Sequence, residues 1–111
     1  MSNLRNSVRL VGHLGSEPEI KTTVNNKKLA KVSIATNSSY KNEKGDKVEE
    51  TQWHYLVMWD KNAVFAEKYL RKGSELSIEG KLSSRSYTDS SGVKKYVTEI
   101  IVNEILLLNK K

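Results

Sequence analysis

The stretch Thr51-Gln-Trp-His-Tyr-Leu-Val-Met-Trp59 places three large aromatic rings at odd positions of one apolar run. In a β-strand successive side chains point to opposite faces, so Trp53, Tyr55 and Trp59 would share a face. The chain carries a formal net charge of +6. An aromatic face beside lysines is typical of surfaces on which nucleic-acid bases stack and phosphates are neutralised.

The residues between the rings leave a second interpretation open. His54, Leu56 and Met58 can supply core volume from the opposite face, which would free the aromatic face for binding. However, Trp and Tyr are often mostly buried, and strands often carry them for packing. The rings themselves could therefore form the core, and the alternation alone does not decide between the two interpretations.

Length and cysteine content limit the class of protein. The 111 residues fit one domain, 1–111, because domains are typically about 100 to 150 residues long. The absence of cysteine excludes disulfides and cysteine zinc sites. His13 and His54 stand apart without an H-E-x-x-H pattern, so we predict no metal site and no cofactor.

Charge and hydropathy bear on partners and location. Nineteen Lys and Arg against thirteen Asp and Glu favour a polyanionic partner, although simple solubility explains the same excess. The start of the chain lacks the apolar stretch of a signal peptide, and no apolar run approaches the length of a membrane span. We therefore expect a cytoplasmic protein that does not contact a membrane.

Apolar runs rich in Val, Ile, Tyr and Trp recur five times, and each predicts a strand. The runs are Val8 to Leu14, Leu29 to Thr36, Trp53 to Trp59, Leu76 to Leu82 and Tyr96 to Leu107. In the fourth run apolar residues alternate with polar ones, as in a sheet with one solvated face. Gly80 in that run and Gly12 in the first suit the bends and close approaches of a small barrel.

A helix is predicted between the third and fourth strands. Asp60 can cap it, its apolar stripe runs to about Leu70, and Gly73 can stop it. Five strands with one helix at this position describe an all-β fold, the OB-fold. This fold is a five-stranded Greek-key barrel whose outer face and loops bind oligonucleotides.

Two linkers are predicted to form hairpin arms with mobile tips. They span residues 37–50 and 85–93, and both contain glycine turn chemistry. Each arm holds one tyrosine, Tyr40 or Tyr87. Each ring could stack on a base or simply pack at the root of its loop.

Five stretches in consistent order and spacing resemble the bacterial single-stranded DNA-binding proteins. They are Val11 to Ile20, Thr51 to His54, Tyr69 to Ser74, Ile78 to Gly80 and Tyr87 to Gly92. The resemblance runs from about Asn3 to Leu108. It implies an OB-fold that assembles as a homotetramer, a dimer of dimers, with single-stranded DNA wrapped around it. Base stacking on aromatic rings is a known general property of this class of proteins.

The resemblance also implies roles for individual residues. The positions of stacking aromatics fall on Tyr40, Trp53, Trp59 and Tyr87. Contacts to the DNA backbone fall on Arg5, Lys41, Lys61, Lys72 and Arg85. Tyr55 stands where relatives often carry arginine, so it lengthens the aromatic strip as a possible part of the DNA face.

Subunit contacts and partners follow from the same resemblance. His54 is implied to lie at a subunit interface, together with Val8 and Leu10 on a first strand that pairs with its copy. Relatives usually continue into a disordered tail whose acidic tip recruits replication and repair proteins. This chain ends at Leu106-Leu-Leu-Asn-Lys-Lys111, so contacts with such proteins are in doubt.

The predicted function is sequence-independent binding and protection of single-stranded DNA in replication, recombination and repair. One alternative is a primosome-type adaptor, a dimer that binds single-stranded DNA and a helicase. Another is an enzyme built on an OB barrel. No convergent pair of carboxylates supports it, because Glu49 and Glu50 point apart in a strand and Glu17 and Glu19 flank Pro18. We therefore predict no catalytic residues.

Overall fold

Six strands and one helix form the part of the chain that a computed structural model describes, residues 5–108. The elements are β1 (Val8–Leu14), β2 (Glu19–Thr22), β3 (Lys28–Lys41), β4 (Lys47–Trp59), α1 (Lys61–Tyr69), β5 (Glu75–Thr88) and β6 (Lys94–Leu107). Within this range no helix has the length and apolar character needed to cross a membrane.

Five of the strands close into a barrel. They are hydrogen-bonded in the order β1-β5-β6-β4-β3, and β1 closes the ring by pairing with β3 at His13↔Ala35 and Leu14↔Ile34. The predicted five-stranded OB-fold with its helix between the third and fourth barrel strands is confirmed. The short β2, which pairs along the far edge of β3, was not predicted, since four residues with one apolar side chain give no clear period.

The inner faces of the strands fill the barrel. From β3 and β4, alternate side chains such as Ile34, Leu56 and Met58 are almost fully buried. The helix closes one end of this core with Ala63 and Ala66, whose small side chains are completely buried. Burying a large apolar side chain contributes roughly 1.5 to 3 kcal/mol, so this interior supplies most of the stabilisation.

Two glycines permit the close approach of strands, as predicted. A Cβ added to Gly12 would clash with the carbonyl oxygen of Ala35, and one added to Gly80 would clash with that of Ile101. The β5–β6 register also shifts between Glu79 and Gly80, which is a bulge. These positions bend the sheet into a closed barrel because nothing larger than hydrogen fits there.

The bounds of α1 agree with the prediction, but the details at its two ends differ. Asp60 occupies the N-cap position, as predicted, with a φ of 54°, but its side chain does not make the expected capping hydrogen bond. The helix ends at Tyr69 with Leu70 as its C-cap, four residues after Ala66, whose carbonyl accepts from the Leu70 amide. Gly73, with a φ of 90°, belongs to the turn that follows rather than to the helix end.

Two hairpin arms extend from the barrel. β3 and β4 remain paired as far as Lys41↔Lys47, and β5 and β6 remain paired as far as Thr88↔Lys94. Because β4 and β6 run parallel where they meet, both arms leave the same end of the barrel. Leu82, the last apolar residue of the fourth predicted strand, is half-exposed because β5 has there passed beyond the filled interior.

Candidate nucleic-acid interface

The outer face of β4 carries the three rings that the sequence singles out. Trp53, Tyr55 and Trp59 are 54%, 57% and 37% exposed. The opposite face of the same strand contributes Leu56 and Met58 to the core. The interpretation in which the rings form the core is therefore wrong, and the aromatic face is exposed.

The aromatic face is not continuous. Val57 lies on the same face between Tyr55 and Trp59, yet it is only 7% exposed. It stands between Lys31 of β3 and Ile101 of β6 in the sheet register. Trp53 and Tyr55 thus form one adjacent pair, about 6.8 Å apart along the strand, and Trp59 lies beyond a filled position.

Trp53 packs against a glycine that the sequence analysis did not identify. A Cβ added to Gly15 would lie 2.8 Å from the indole Cη2 atom, so only glycine leaves room for the ring. The Gly15 amide donates to the carbonyl of Ser33, which fixes this segment on β3. In the sequence, the position of Gly15 directly after the first predicted strand was the feature that could have indicated a close contact here. Gly15 thus holds one side of the Trp53 ring and leaves the rest exposed.

The arm tyrosines lie on different faces. The β3–β4 register runs without a break from Leu29↔Trp59 to Lys41↔Lys47, so Tyr40 falls on the face opposite Trp53. Tyr87 shares the outer face of the β5–β6 arm with Arg85. Both tyrosines are about half-exposed. The structure therefore brings Trp53 and Tyr55 together but does not bring Tyr40 onto their side of the sheet.

Four of the five cations assigned by resemblance are exposed and available. They are Arg5, Lys41, Lys61 and Lys72. Within residues 5–108 none of their side chains pairs with a carboxylate. Lys61 follows Trp59 by two residues at the start of α1, while Lys41 lies near the tip of an arm. Their charges can approach a polyanion without first breaking an ion pair.

Arg85 is different because it is already paired. Its Nε and Nη2 atoms donate to the two carboxylate oxygens of Glu99 over 3.1 and 3.3 Å. The hydrogen bond to Glu99 raises the pKa of Arg85 above its ordinary value. The Glu99 side chain is largely buried while the guanidinium remains half-exposed. A phosphate at this position would compete with a built-in carboxylate.

A cleft of about 310 Å³ opens beside Tyr55, where β4 and β6 separate beyond their short parallel pairing. Lys31 and three glutamates, at positions 17, 19 and 99, contribute to its walls. Each carboxylate is engaged within the chain: Glu17 accepts from the Lys72 amide, Glu19 pairs with Lys21, and Glu99 binds Arg85. Beside Tyr55, two of the three glutamates are therefore paired with a cation, and the third accepts a hydrogen bond from a backbone amide.

The tips of the two arms share one turn. In the β3–β4 arm the Asn42 side chain accepts from two backbone amides, and Gly45 has a φ of 82°. In the β5–β6 arm Asp89 does the same, and Gly92 also has a φ of 82°. The glycines indicate turns from the sequence alone, and the Asn and Asp three residues before them complete the signature of this turn.

The residues implied at a subunit interface lie around the open side of β1. Val8 and Leu10 pack against their own core, while the backbone edge from Val8 to Gly12 has no strand partner on the β3 side among residues 5–108. The Nε2 atom of His54 lies 3.0 Å from Thr36 Oγ1. A Cβ on Gly12 would lie 3.4 Å from Thr36, so His54 borders the place where β1 separates from β3.

The fold and this face define the chain as an OB-fold protein with an exposed aromatic strand and basic arms. The chain belongs to the single-strand binding protein family, whose model matches residues 5–108. It is 39% identical over 107 residues to single-stranded DNA-binding protein 1 of Chlorobaculum tepidum. The match covers 96% of this chain and 66% of the length of that relative.

Solved structures show the same likeness. The Plasmodium falciparum SSB in complex with ssDNA has a TM-score of 0.85 and 33% identity, and the match covers 94% of this chain and 95% of that one. A deletion mutant of the single-stranded DNA binding protein from Thermus aquaticus has a TM-score of 0.82 and 24% identity. That match covers 94% of this chain and 50% of the other, and at this identity it shows a shared fold only.

We predict that acid loosens the tip of the β5–β6 arm. Hydrogen bonds from the amides of Val93 and Ser91, with the Lys95 ammonium nearby, lower the pKa of the Asp89 carboxyl from its ordinary value of 3.8. Because the folded-state pKa is the lower one, the contribution of Asp89 is complete above about pH 3.8 and is lost as the pH falls through the folded-state value.

An NMR pH titration of the Ser91 and Val93 amides measures this effect. Their shifts should titrate with a common midpoint below 3.8. Asp89→Asn, which keeps a neutral acceptor, should abolish that titration. A midpoint at or above the ordinary value would contradict the hydrogen-bonded turn.

Proposed function

We propose that the chain binds and protects single-stranded DNA without sequence preference, in replication, recombination and repair. One observation carries this proposal: Trp53 and Tyr55 are more than half exposed on the outside of a barrel whose interior is already filled. Large rings kept out of a complete core are available to stack on bases. Membership of the single-strand binding protein family supports the same function.

The chemistry of this face suits sequence-tolerant binding. Every base has a π face, so stacking on aromatic rings discriminates little between bases. Cations such as Lys61 and Lys72, which pair with no carboxylate within residues 5–108, neutralise phosphates and release counterions, which contributes affinity independently of sequence. No base edge needs to be read for either contact. The proposed backbone contacts are Arg5, Lys41, Lys61, Lys72 and, once released from Glu99, Arg85.

We also propose that residues 1–111 act as one binding domain of a homotetramer located in the cytoplasm and associated with the nucleoid. Among residues 5–108 the β1 edge from Val8 to Gly12 has no strand partner on the β3 side, which supports assembly because an open strand edge readily pairs with its copy about a two-fold axis. One OB fold covers about 4 to 16 nucleotides, so wrapping a longer strand requires several linked folds.

The alternative functions are less well supported. A primosome-type adaptor would also present an OB-fold, but its main task of contacting a helicase does not require several rings on a solvent-exposed strand. For an enzyme, the three glutamates of the cleft beside Tyr55 would have to be free to act. Each of them is instead engaged by a neighbouring group.

We expect Trp53→Ala to weaken binding of oligo(dT) by about 1 to 3 kcal/mol, the range for loss of one stacked base. Phe65→Leu is the control, because Phe65 lies on α1 and packs against the core. It should cost more thermal stability than Trp53→Ala and leave affinity nearly unchanged. Fluorescence anisotropy and thermal melting of both variants test this. A Trp53→Ala variant that unfolds while Phe65→Leu loses binding would reverse the assignment of faces.

We expect Glu99→Gln to strengthen binding. The glutamine keeps the shape of a largely buried side chain but removes the charge that holds Arg85. One additional phosphate contact should steepen the log-log dependence of affinity on salt by about 0.7. Glu19→Gln is the matched control, since Glu19 lines the same cleft but pairs with Lys21 instead. An equal salt dependence in both variants would show that Arg85 does not contact the strand.

His54→Asp should dissociate the proposed tetramer. A carboxylate beside the open β1 edge would be repeated in every copy and would bring like charges together. Analytical ultracentrifugation should show a smaller species that still folds and still binds short oligonucleotides through Trp53. A monomeric wild type, or a variant that remains tetrameric, would refute the interface role of His54.

A further inference from the structure

We propose that Tyr96 and Lys94 form an additional contact for single-stranded DNA, on the face of the β5–β6 arm opposite Tyr87. The inference rests on the proposed function and extends it to a surface to which the family resemblance assigns no residue. Tyr96 would stack on a base, and the ammonium group of Lys94 would lie against the adjoining phosphate. The strand would then contact both faces of the arm.

The surroundings of Tyr96 leave its ring open. In the β5–β6 register its direct partner is Ser86, and the neighbouring pairs on this face are Ser84↔Thr98 and Thr88↔Lys94. These neighbours are small hydroxyl side chains apart from the lysine. Tyr96 is 72% exposed, more than any other aromatic ring in residues 5–108. A ring that served only to pack the arm would be covered, whereas this one has an open face.

The charges on the two faces of the β5–β6 arm also favour a DNA contact at the Tyr96 face. On the outer face Arg85 is held by Glu99, and Lys95 lies 3.4 Å from a carboxylate oxygen of Asp89. On the Tyr96 face, Lys94 has no carboxylate partner within the described residues, and its Nζ atom lies 5.6 Å from the ring centroid of Tyr96. This face therefore offers a highly exposed ring and, over it, a lysine that no carboxylate within residues 5–108 holds, the combination that fits a nucleotide.

The topology of the barrel allows a DNA strand to reach this face of the arm. Both arms leave the same end of the barrel, because β4 and β6 are parallel where they pair. Tyr96 lies on the face that continues the inner side of β6, and Tyr40 lies on the corresponding face of the neighbouring arm. A DNA strand that leaves the outer face of β4 at Trp53 can pass around the end of the arms and contact these two tyrosines.

Binding of oligo(dT) to the full chain tests the proposal. The strand should be about 35 nucleotides, longer than the roughly 4 to 16 that one OB fold covers. Tyr96→Ser, which matches its hydroxyl neighbours, should weaken binding by about fivefold or more, and Tyr96→Phe should retain wild-type affinity. Lys94→Gln should lower the magnitude of the log-log salt slope by about 0.7.

Tyr69→Ser is the matched control, because Tyr69 is also more than half exposed but lies on α1 beside Phe65. Its affinity should equal that of the wild type, and thermal melting should show that all variants are folded. Wild-type affinity in Tyr96→Ser, while Trp53→Ala still weakens binding, would overturn this inference alone. A wild-type chain that does not bind the strand would overturn the proposed function as well.

Discussion

The alternation of side chains along β4 is the constraint on which the site depends. Leu56 and Met58 point inward and complete a core that Ile34 and the helix alanines share. Because the period of a strand is two residues, the side chains at odd positions must then lie outside. A shift of one residue in register would bury the rings and expose the core. The stability of the barrel therefore keeps Trp53 and Tyr55 at the surface.

The arms depend on a second constraint, the parallel pairing of β4 with β6. This pairing sends both hairpins from one end of the barrel. Each tip is closed by the same hydrogen-bonded turn, formed by Asn42 in one arm and Asp89 in the other. Intramolecular carboxylates then determine which cations remain available: Glu99 holds Arg85, whereas Lys94 is left beside Tyr96.

The sequence predicts the barrel well because its strands follow a two-residue period and its helix lies between two of them. The same reasoning missed β2, which is too short to show a period, and the full length of the arms, whose polar residues resemble loops. It could not find the Arg85–Glu99 pair, since the two residues lie on different strands and meet only through the β5–β6 register. The burial of Val57 could not be predicted either, because its neighbours in the sheet, Lys31 of β3 and Ile101 of β6, are distant from it in sequence.

Tryptophan fluorescence during a titration with poly(dT) tests the central claim most directly. The only two tryptophans, Trp53 and Trp59, both lie on the outer face of β4, so the emission reports that face alone. Stacked bases should quench the emission strongly, and a mixed-sequence strand should do so at similar concentrations because stacking tolerates any base. Emission that stays unchanged when binding, followed independently by anisotropy, is saturated would contradict the claim that this face receives the DNA.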